Sequence, residues 1–211
     1  LDYVRWVLVK RRTEGAWQGP DHVPELPKSV TPDRIGAACP PIVASNWDTQ
    51  LSGSCHRFGD YAVGETIDHR DGMTVEDAEH QMATRLWQNT AKVHFDANAA
   101  KDTRFGRRLI YGGHVISMAR ALSFNGLGNV FHIAAINAGR HVAPLFAGDT
   151  VYAWSEVLDT AILPGRGDVG ALRLRLVATK DRPCADFPLK TGDAYAEGVI
   201  LDLDYWGLIP R

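Results

Sequence analysis

Two periodicities divide this chain. Val115, Met118, Ala119 and Leu122 recur at i, i+3, i+4 and i+7, which places them on one face of a helix predicted over about residues 113–124. Asn125-Gly126-Leu127-Gly128 follows directly and predicts its stop. Beyond Val130 the period falls to two. In residues 172–179 Leu172, Leu174 and Leu176 alternate with Arg173 and Arg175, so the leucines are expected to face a core and the arginines solvent. Phe131 to Asn137, Thr150 to Leu158, Ala171 to Thr179 and Val199 to Ile209 read as strands separated by Gly- or Pro-bearing turns, with a loop over residues 181–193 and with Asp202 and Asp204 on a strand exterior. Upstream, Phe58 to His69 reads as a strand with a turn at Val63-Gly64. Thr74-x-x-Asp77 then opens a helix over Val75 to Trp87, on which Ala78, Met82 and Leu86 repeat at four-residue spacing. A striped helix followed by a run of strands predicts an antiparallel sheet packed on a long central helix, an α+β architecture.

The first quarter of the chain has a different texture. Residues 13–54 are rich in Pro, Gly, Asp and Ser without a sustained period, which predicts a linker or a long surface excursion. Before it, LDYVRWVLVKR is strand-like and echoes the closing LDLDYWGLIPR at Leu, Asp, Trp, Leu and Arg. The echo implies that the chain begins at the tail end of an earlier copy of the same domain.

Composition narrows the partners. With 211 residues and 45% hydrophobic content the chain can bury a sizeable core. A formal charge of -2 argues against a nucleic-acid surface. No apolar run approaches the roughly 18 to 20 residues that cross a bilayer, and no basic-then-apolar leader is present, so no membrane partner and a cytoplasmic location are expected. Cys39, Cys55 and Cys184 lack C-x-x-C spacing and are expected to be reduced thiols. Cys55-His56 with His69 has no fixed ligand geometry, so no metal is expected.

The candidate chemistry lies between Gln88 and Leu122. Asn89, His94 and Asp96 form a short polar segment, Arg104, Arg107 and Arg108 a basic run, and Tyr111-Gly112-Gly113-His114 leads into the striped helix. A histidine with an ordinary pKa near 6.5 can take and return a proton at neutrality, and a glycine-led helix N-terminus presents free amides to negative charge. These are the ingredients of a site for an anionic acyl substrate.

The segments FGDYAVGETI (58–67), VHFDANAA (93–100), IYGGHVISMARAL (110–122) and HVAPLFAGDTVYAWSEV (141–157) together resemble the MaoC-like, R-specific enoyl-CoA hydratase group. His94 and Asp96 fall on the His and second Asp of that group's Gly-Asp-x-Asn-Pro-x-His-x-Asp signature, and Gly113 falls on its helix-opening Gly. Phe146-Ala147-Gly148-Asp149-Thr150 resembles its Phe-Pro-Gly-Asp-Thr turn. One departure stands out: Asn89 occupies the position of the catalytic Asp, with Ala91 and Lys92 in place of Asn-Pro.

The resemblance implies the hotdog fold, a sheet wrapped around a central helix, here as the C-terminal half of a double hotdog. Residues 1–12 would be the last strand of a preceding unit, 13–54 a linker and 55–211 the MaoC-like domain. It implies a lyase that adds water to an α,β-unsaturated acyl-CoA thioester, converting mesaconyl-CoA to β-methylmalyl-CoA, with no cofactor beyond the coenzyme A of the substrate. His94 would be the general acid/base, and Asn89 would fix the attacking water through its amide oxygen. Gly112 and Gly113 would bind the thioester oxygen. Tyr111, Asp96, Arg140 and His141 would contact the acyl part, with Arg140-His141 on the extra carboxylate, and Arg104, Arg107 and Arg108 would meet the phosphates of coenzyme A. Pairing with a second hotdog unit in a homo-oligomer is expected, because a lone unit leaves a sheet edge and a helix face uncovered. Two other activities fit the same residues: a hotdog thioesterase directing water at the carbonyl through Asn89 or Asp96, and a non-catalytic half that shapes a partner's acyl pocket.

Overall fold

A computed structural model of the chain describes residue 25 and residues 27–211. The strand expected over residues 1–12 and the first part of the expected linker, 13–24, therefore lie outside the described residues. Helices α1 (Pro32–Ala37) and α2 (Thr49–Ser52) precede strands β1 (Thr66–Asp68) and β2 (Met73–Thr74). Helices α3 (Asp77–Leu86), α4 (Lys92–Phe95), α5 (Ala97–Ala100), α6 (Gly112–Leu122) and the short α7 (Phe124–Leu127) follow. Then come β3 (His132–His141), β4 (Thr150–Ile162), β5 (Val169–Lys180), β6 (Lys190–Thr191), β7 (Ala194–Tyr195) and β8 (Val199–Pro210).

The main sheet is antiparallel with order β1-β4-β5-β8-β3, and β2 also pairs with β4. Helix α6 lies against its inner face. The stripe of Val115, Met118, Ala119 and Leu122 is buried among Leu172, Leu174, Leu176, Leu203 and Tyr205, so helical and strand periodicities meet in one core. Truncating one of the larger of these side chains to Ala typically costs about 2–5 kcal/mol. The helix stops where the sequence predicts. Gly126 takes φ 102°, and a Cβ there would lie 2.6 Å from Ile67 Cγ2, so only glycine lets the chain turn this close to β1. A helix wrapped by an antiparallel sheet is the hotdog arrangement.

Other expectations change in detail. The segment expected as a strand over 58–69 opens as a 3₁₀ turn, Phe58–Asp60, and is extended in the sheet only over β1. Helix α3 begins two residues later than expected, because Glu76 caps it: its side chain accepts from the backbone of Glu79, whose own carboxylate accepts from Glu76 N. The buried residues of α3 are His80, Ala83 and Thr84, while Met82 and Leu86 are 62% and 69% exposed. The four-residue apolar repeat therefore lies on the open side. In β5 the leucines face inward as expected, but Arg173 and Arg175 are not free in solvent. Arg173 pairs with Asp204 at 2.6 Å, and Arg175 pairs with Glu156 at 3.0 Å and Asp202 at 3.4 Å. The expected loop after residue 180 contains the small β6–β7 hairpin.

These ion pairs occupy the middle of the sheet's outer face, flanked by two apolar patches. One is covered by Val30, Ile35, Cys39, Ile42 and Ala44 packing on Ala171, Trp206 and Leu208. The other is covered by Cys184, Phe187, Leu189 and Tyr195 packing on Trp154, Val177 and Val199.

His69 fastens β1 to both β4 and the end of α6. Its Nδ1 donates to the Asn125 carbonyl at 2.6 Å, which leaves Nε2 to accept from the Ser155 hydroxyl at 2.8 Å. The serine hydroxyl can either donate or accept, so it is burial that favours the neutral ring in which Nε2 accepts. Burial lowers its pKa from 6.5 to about 4, partly offset by the Asn125 bond and the nearby Asp68. Between those values the unfolded chain binds a proton that the folded ring refuses, so stability falls as pH drops through this window. The contribution is about 1.4 kcal/mol per pH unit. Denaturant unfolding at a series of pH values should show a shallower loss on acidification for His69→Gln than for the parent. Equal slopes would show that His69 is not the titrating group.

Candidate active site

His94 is delivered to α6 by short-range bonding. Leu109 N donates to Val93 O at 3.0 Å, and the His94 imidazole bonds through Nδ1 to the Leu109 carbonyl at 2.8 Å. A carbonyl can only accept, so Nδ1 carries a hydrogen, and in the neutral ring Nε2 is the nitrogen with the free lone pair. Only Ile110 and Tyr111 separate Leu109 from Gly112, the first residue of α6. Ile110 is itself fixed by its N–H to the Leu145 carbonyl at 2.9 Å.

The mouth of α6 has unused donors. His114 N and Val115 N both donate to the Tyr111 carbonyl, whereas Gly112 N and Gly113 N have no partner among the described residues. Two free amides at the positive end of a helix suit an oxygen carrying partial negative charge.

A cleft of about 370 Å³ joins these pieces. His94, Leu109, Gly112 and Val115 line one side, His141, Val142 and Pro144 another, and Arg104 with Phe105 lies at its margin. His141 Nε2 lies 2.5 Å from where a Cβ on Gly112 would sit, so the absent side chain is what admits the second ring. Burial pushes the His141 imidazole below its ordinary pKa, although the residue as a whole keeps access to solvent. Both cleft histidines come from separate parts of the chain, one from α4 and one from the end of β3.

The remaining expected site residues scatter. Gly113 is covered by the Tyr111 ring, whose hydroxyl lies 2.2 Å from a would-be Cβ, and Tyr111 stands 6.0 Å from His94 between ring centroids. Asn89 is turned back on its own chain, its Oδ1 accepting from Ala91 N at 2.9 Å. Asp96 caps α5 by accepting from Ala99 N at 3.0 Å. Arg140 and His141 are neighbours on a strand and so face opposite ways. Opposite Leu201, His141 is on the helix side; opposite Asp202, Arg140 is on the outer face. The two therefore do not act from one wall. Among the arginines, Arg104 reaches the cleft and stacks on Phe105 at 4.5 Å, Arg107 stacks on Phe146 at 3.9 Å, and Arg108 is held by Asp77 at 2.8 Å.

The sequence reading passed over His80 and Gln81. Fully buried His80 accepts the Tyr111 N–H at Nε2, 2.9 Å away, and Gln81 Nε2 donates to the His94 carbonyl at 3.1 Å. Burial, followed by the nearby His114 and His94, lowers the His80 pKa to about 4. Its signal in the sequence was the His80, Ala83, Thr84 stripe at i, i+3, i+4, which is obscured by the more apolar Met82 and Leu86 beside it. Among the described residues, no group of three or more His, Cys, Asp or Glu side chains could hold a metal, and no helix is long and apolar enough to cross a membrane.

Comparison with known proteins adds the relationship. Residues 59–172 match the MaoC like domain. Over 212 aligned residues the chain is 53% identical to the beta-methylmalyl-CoA dehydratase of Chloroflexus aurantiacus and 57% identical to the mesaconyl-CoA hydratase of Cereibacter sphaeroides. In both cases all of this chain aligns, and it spans 60% of the length of the relative. The crystal structure of a MaoC domain protein from Chloroflexus aurantiacus superposes with a TM-score of 0.88 at 53% identity, over 96% of this chain and 58% of that one. A double-hotdog protein from Mycobacterium tuberculosis, 24% identical, gives a TM-score of 0.51 over 91% of this chain and 54% of its own, a likeness of fold alone.

The Gly112–His141 contact predicts a change of sign. In the parent, Gly112→Ala should destabilise by up to about 1 kcal/mol by displacing the exposed His141 ring. With His141→Ala already present, the same change should be neutral or stabilising by up to about 1 kcal/mol, since Ala is the better helix former. Denaturant unfolding of the four proteins reads this directly, and an identical effect in both backgrounds would show that the ring is not held there.

Proposed function

The chain belongs to the MaoC-like dehydratase family, and from that premise we propose that it carries the catalytic site of an acyl-CoA hydratase acting on mesaconyl-CoA to give β-methylmalyl-CoA. The observation that carries this reading is that His94 and Gly112 line one cleft. Water must reach the β-carbon of the enoyl thioester, a proton must reach the α-carbon, and the charge that develops on the thioester oxygen must be stabilised. In the neutral tautomer whose Nδ1 donates to Leu109, His94 Nε2 takes the proton from water and delivers it to carbon. The free amides of Gly112 and Gly113 receive the developing charge, a kind of interaction whose loss typically costs about 3–4 kcal/mol of transition-state stabilisation. His141 and Tyr111 face the acyl part, Asp96 fixes the segment after His94, and Arg104, backed by Arg107, meets a phosphate of coenzyme A. Arg108 and Arg140 stand farther from this role, engaged respectively with Asp77 and on the outer face.

In this reading the rest of a longer protein supplies a second hotdog unit. Strand β3 is outermost in the sheet, with Ile136 56% exposed, which supports pairing along that edge. Cys39, Cys55 and Cys184 are free thiols, in keeping with a reducing, cytoplasmic setting.

Asn89 favours a second reading. Its amide is used in a turn rather than aimed at the cleft, so this half could instead shape an acyl pocket whose proton transfer is done elsewhere. One set of assays on the full-length protein separates the cases. Hydration should remove the enoyl absorbance of mesaconyl-CoA without releasing thiol, and His94→Ala should lower kcat/KM by about 10²- to 10⁴-fold. Stoichiometric thiol release would make the protein a thioesterase. Near-normal turnover by His94→Ala would assign the chemistry to another half.

A further inference from the structure

We propose that His80 and Gln81, adjacent residues on α3, are positioning residues that set the spacing between His94 and the free amides of Gly112 and Gly113. The inference rests on the hydratase reading of the same cleft, in which those groups act on opposite parts of one thioester. Catalysis of that kind depends on where the groups stand before substrate arrives.

The two halves of the site come from different elements and need a common reference. His80 supplies one tie: its Nε2 accepts the N–H of Tyr111, the residue immediately before Gly112. That bond uses the amide at the threshold of α6 and leaves the next two for a ligand. Gln81 supplies the other tie, donating to the backbone carbonyl of His94. His94 Nδ1 in turn donates to Leu109, so a closed loop of bonds runs from His80 through Tyr111, Leu109 and His94 to Gln81. Both ends of the loop lie on one helix, where neighbouring residues keep a fixed separation.

The chemistry of His80 suits the task. To accept at Nε2 it must be neutral with its hydrogen on Nδ1, and its setting enforces this: the side chain is fully buried, next to the positive end of α6, with the rings of His94 and His114 at 6.5 and 5.8 Å. A buried charge there would meet no anion in contact. A leucine in its place would leave the part-buried Tyr111 N–H without its acceptor. Gln81 Nε2 also lies 3.4 Å from His80 Nδ1, but with the hydrogen on Nδ1 both atoms are donors. The acceptor for this amide is therefore the His94 carbonyl, while its buried Oε1 has no partner among the described residues.

The test uses the full-length protein with mesaconyl-CoA. His80→Ala and Gln81→Met should each lower kcat by about 10- to 100-fold, because the reacting groups lose their spacing, while KM moves by less than about threefold. His80→Gln, whose Oε1 can replace Nε2 as acceptor, should regain most of the lost kcat. Hydrogen exchange over residues 110–116 gives a readout that needs no substrate: the Tyr111 amide should exchange faster in His80→Ala than in the parent, and His80→Gln should restore its protection. Unchanged exchange in His80→Ala, or a His80→Gln protein as slow as His80→Ala, would overturn the positioning role. If the parent itself fails to hydrate mesaconyl-CoA, the hydratase reading fails, and the exchange data alone decide whether His80 holds the mouth of α6. Should His80→Ala not fold, the comparison of His80→Gln and Gln81→Met with the parent carries the test: kcat near parental in Gln81→Met would overturn the proposal.

Discussion

Burial of the apolar stripe on α6 is the constraint from which the rest of the molecule follows. Val115, Met118, Ala119 and Leu122 can leave water together only if the helix lies along the inner face of the sheet. Its first turn is then carried to the edge of that core, where the sheet no longer covers it. A helix end must leave amides without intrahelical partners. Here Gly112 and Gly113 provide them, at the end of the helix where the backbone dipole is positive and just after Leu109, which holds His94. The packing that stabilises the domain therefore also brings the free-amide end of α6, through Gly112, to the wall of a cleft.

Burial holds several histidines of this fold below their ordinary pKa. His69, His80 and His141 all have their pKa lowered by burial, while His94, half-buried and open to the cleft, is the histidine whose Nε2 stays available. Each of these rings has a backbone or packing duty: buried His69 with Asn125 and Ser155, buried His80 with Tyr111, and the more exposed His141 with the space left by Gly112. The departure at Asn89 has a structural consequence as well. An amide that accepts from Ala91 N stabilises the turn leading into α4, a use that a carboxylate could also serve but that leaves this side chain without a line to the cleft.

The outer face of the sheet follows a different logic. Arg173, Arg175, Glu156, Asp202 and Asp204 form a ladder of ion pairs across β4, β5 and β8, each partner partly open to solvent. Pairs of that exposure contribute little individually, of the order of 0–1 kcal/mol. Their arrangement nevertheless matches the register of three strands, since shifting any strand by one residue would bring its leucines to this face and its charges into the core. The apolar patches on either side are covered by residues 30–44 and 184–196, so the charged strip is the part of the face left for water.

How much of this was legible beforehand depended on whether the signal was local. The stripe on α6, its stop at Asn125-Gly126 and the leucine alternation in β5 are repeats within a few residues, and they determined a helix, strands and the side of each that would be buried. The motif around His94 and Gly112 likewise named two residues that line the cleft, because fewer than twenty residues separate them and Leu109 bonds back to Val93 and His94. The partner of Arg173, the inward side of α3, the separation of Arg140 from His141 and the grip of His80 on Tyr111 were decided only by tertiary structure. Each depends on which residue of a distant strand or helix stands opposite, and on hydrogen bonds formed across that gap, which neither composition nor periodicity along one segment can encode.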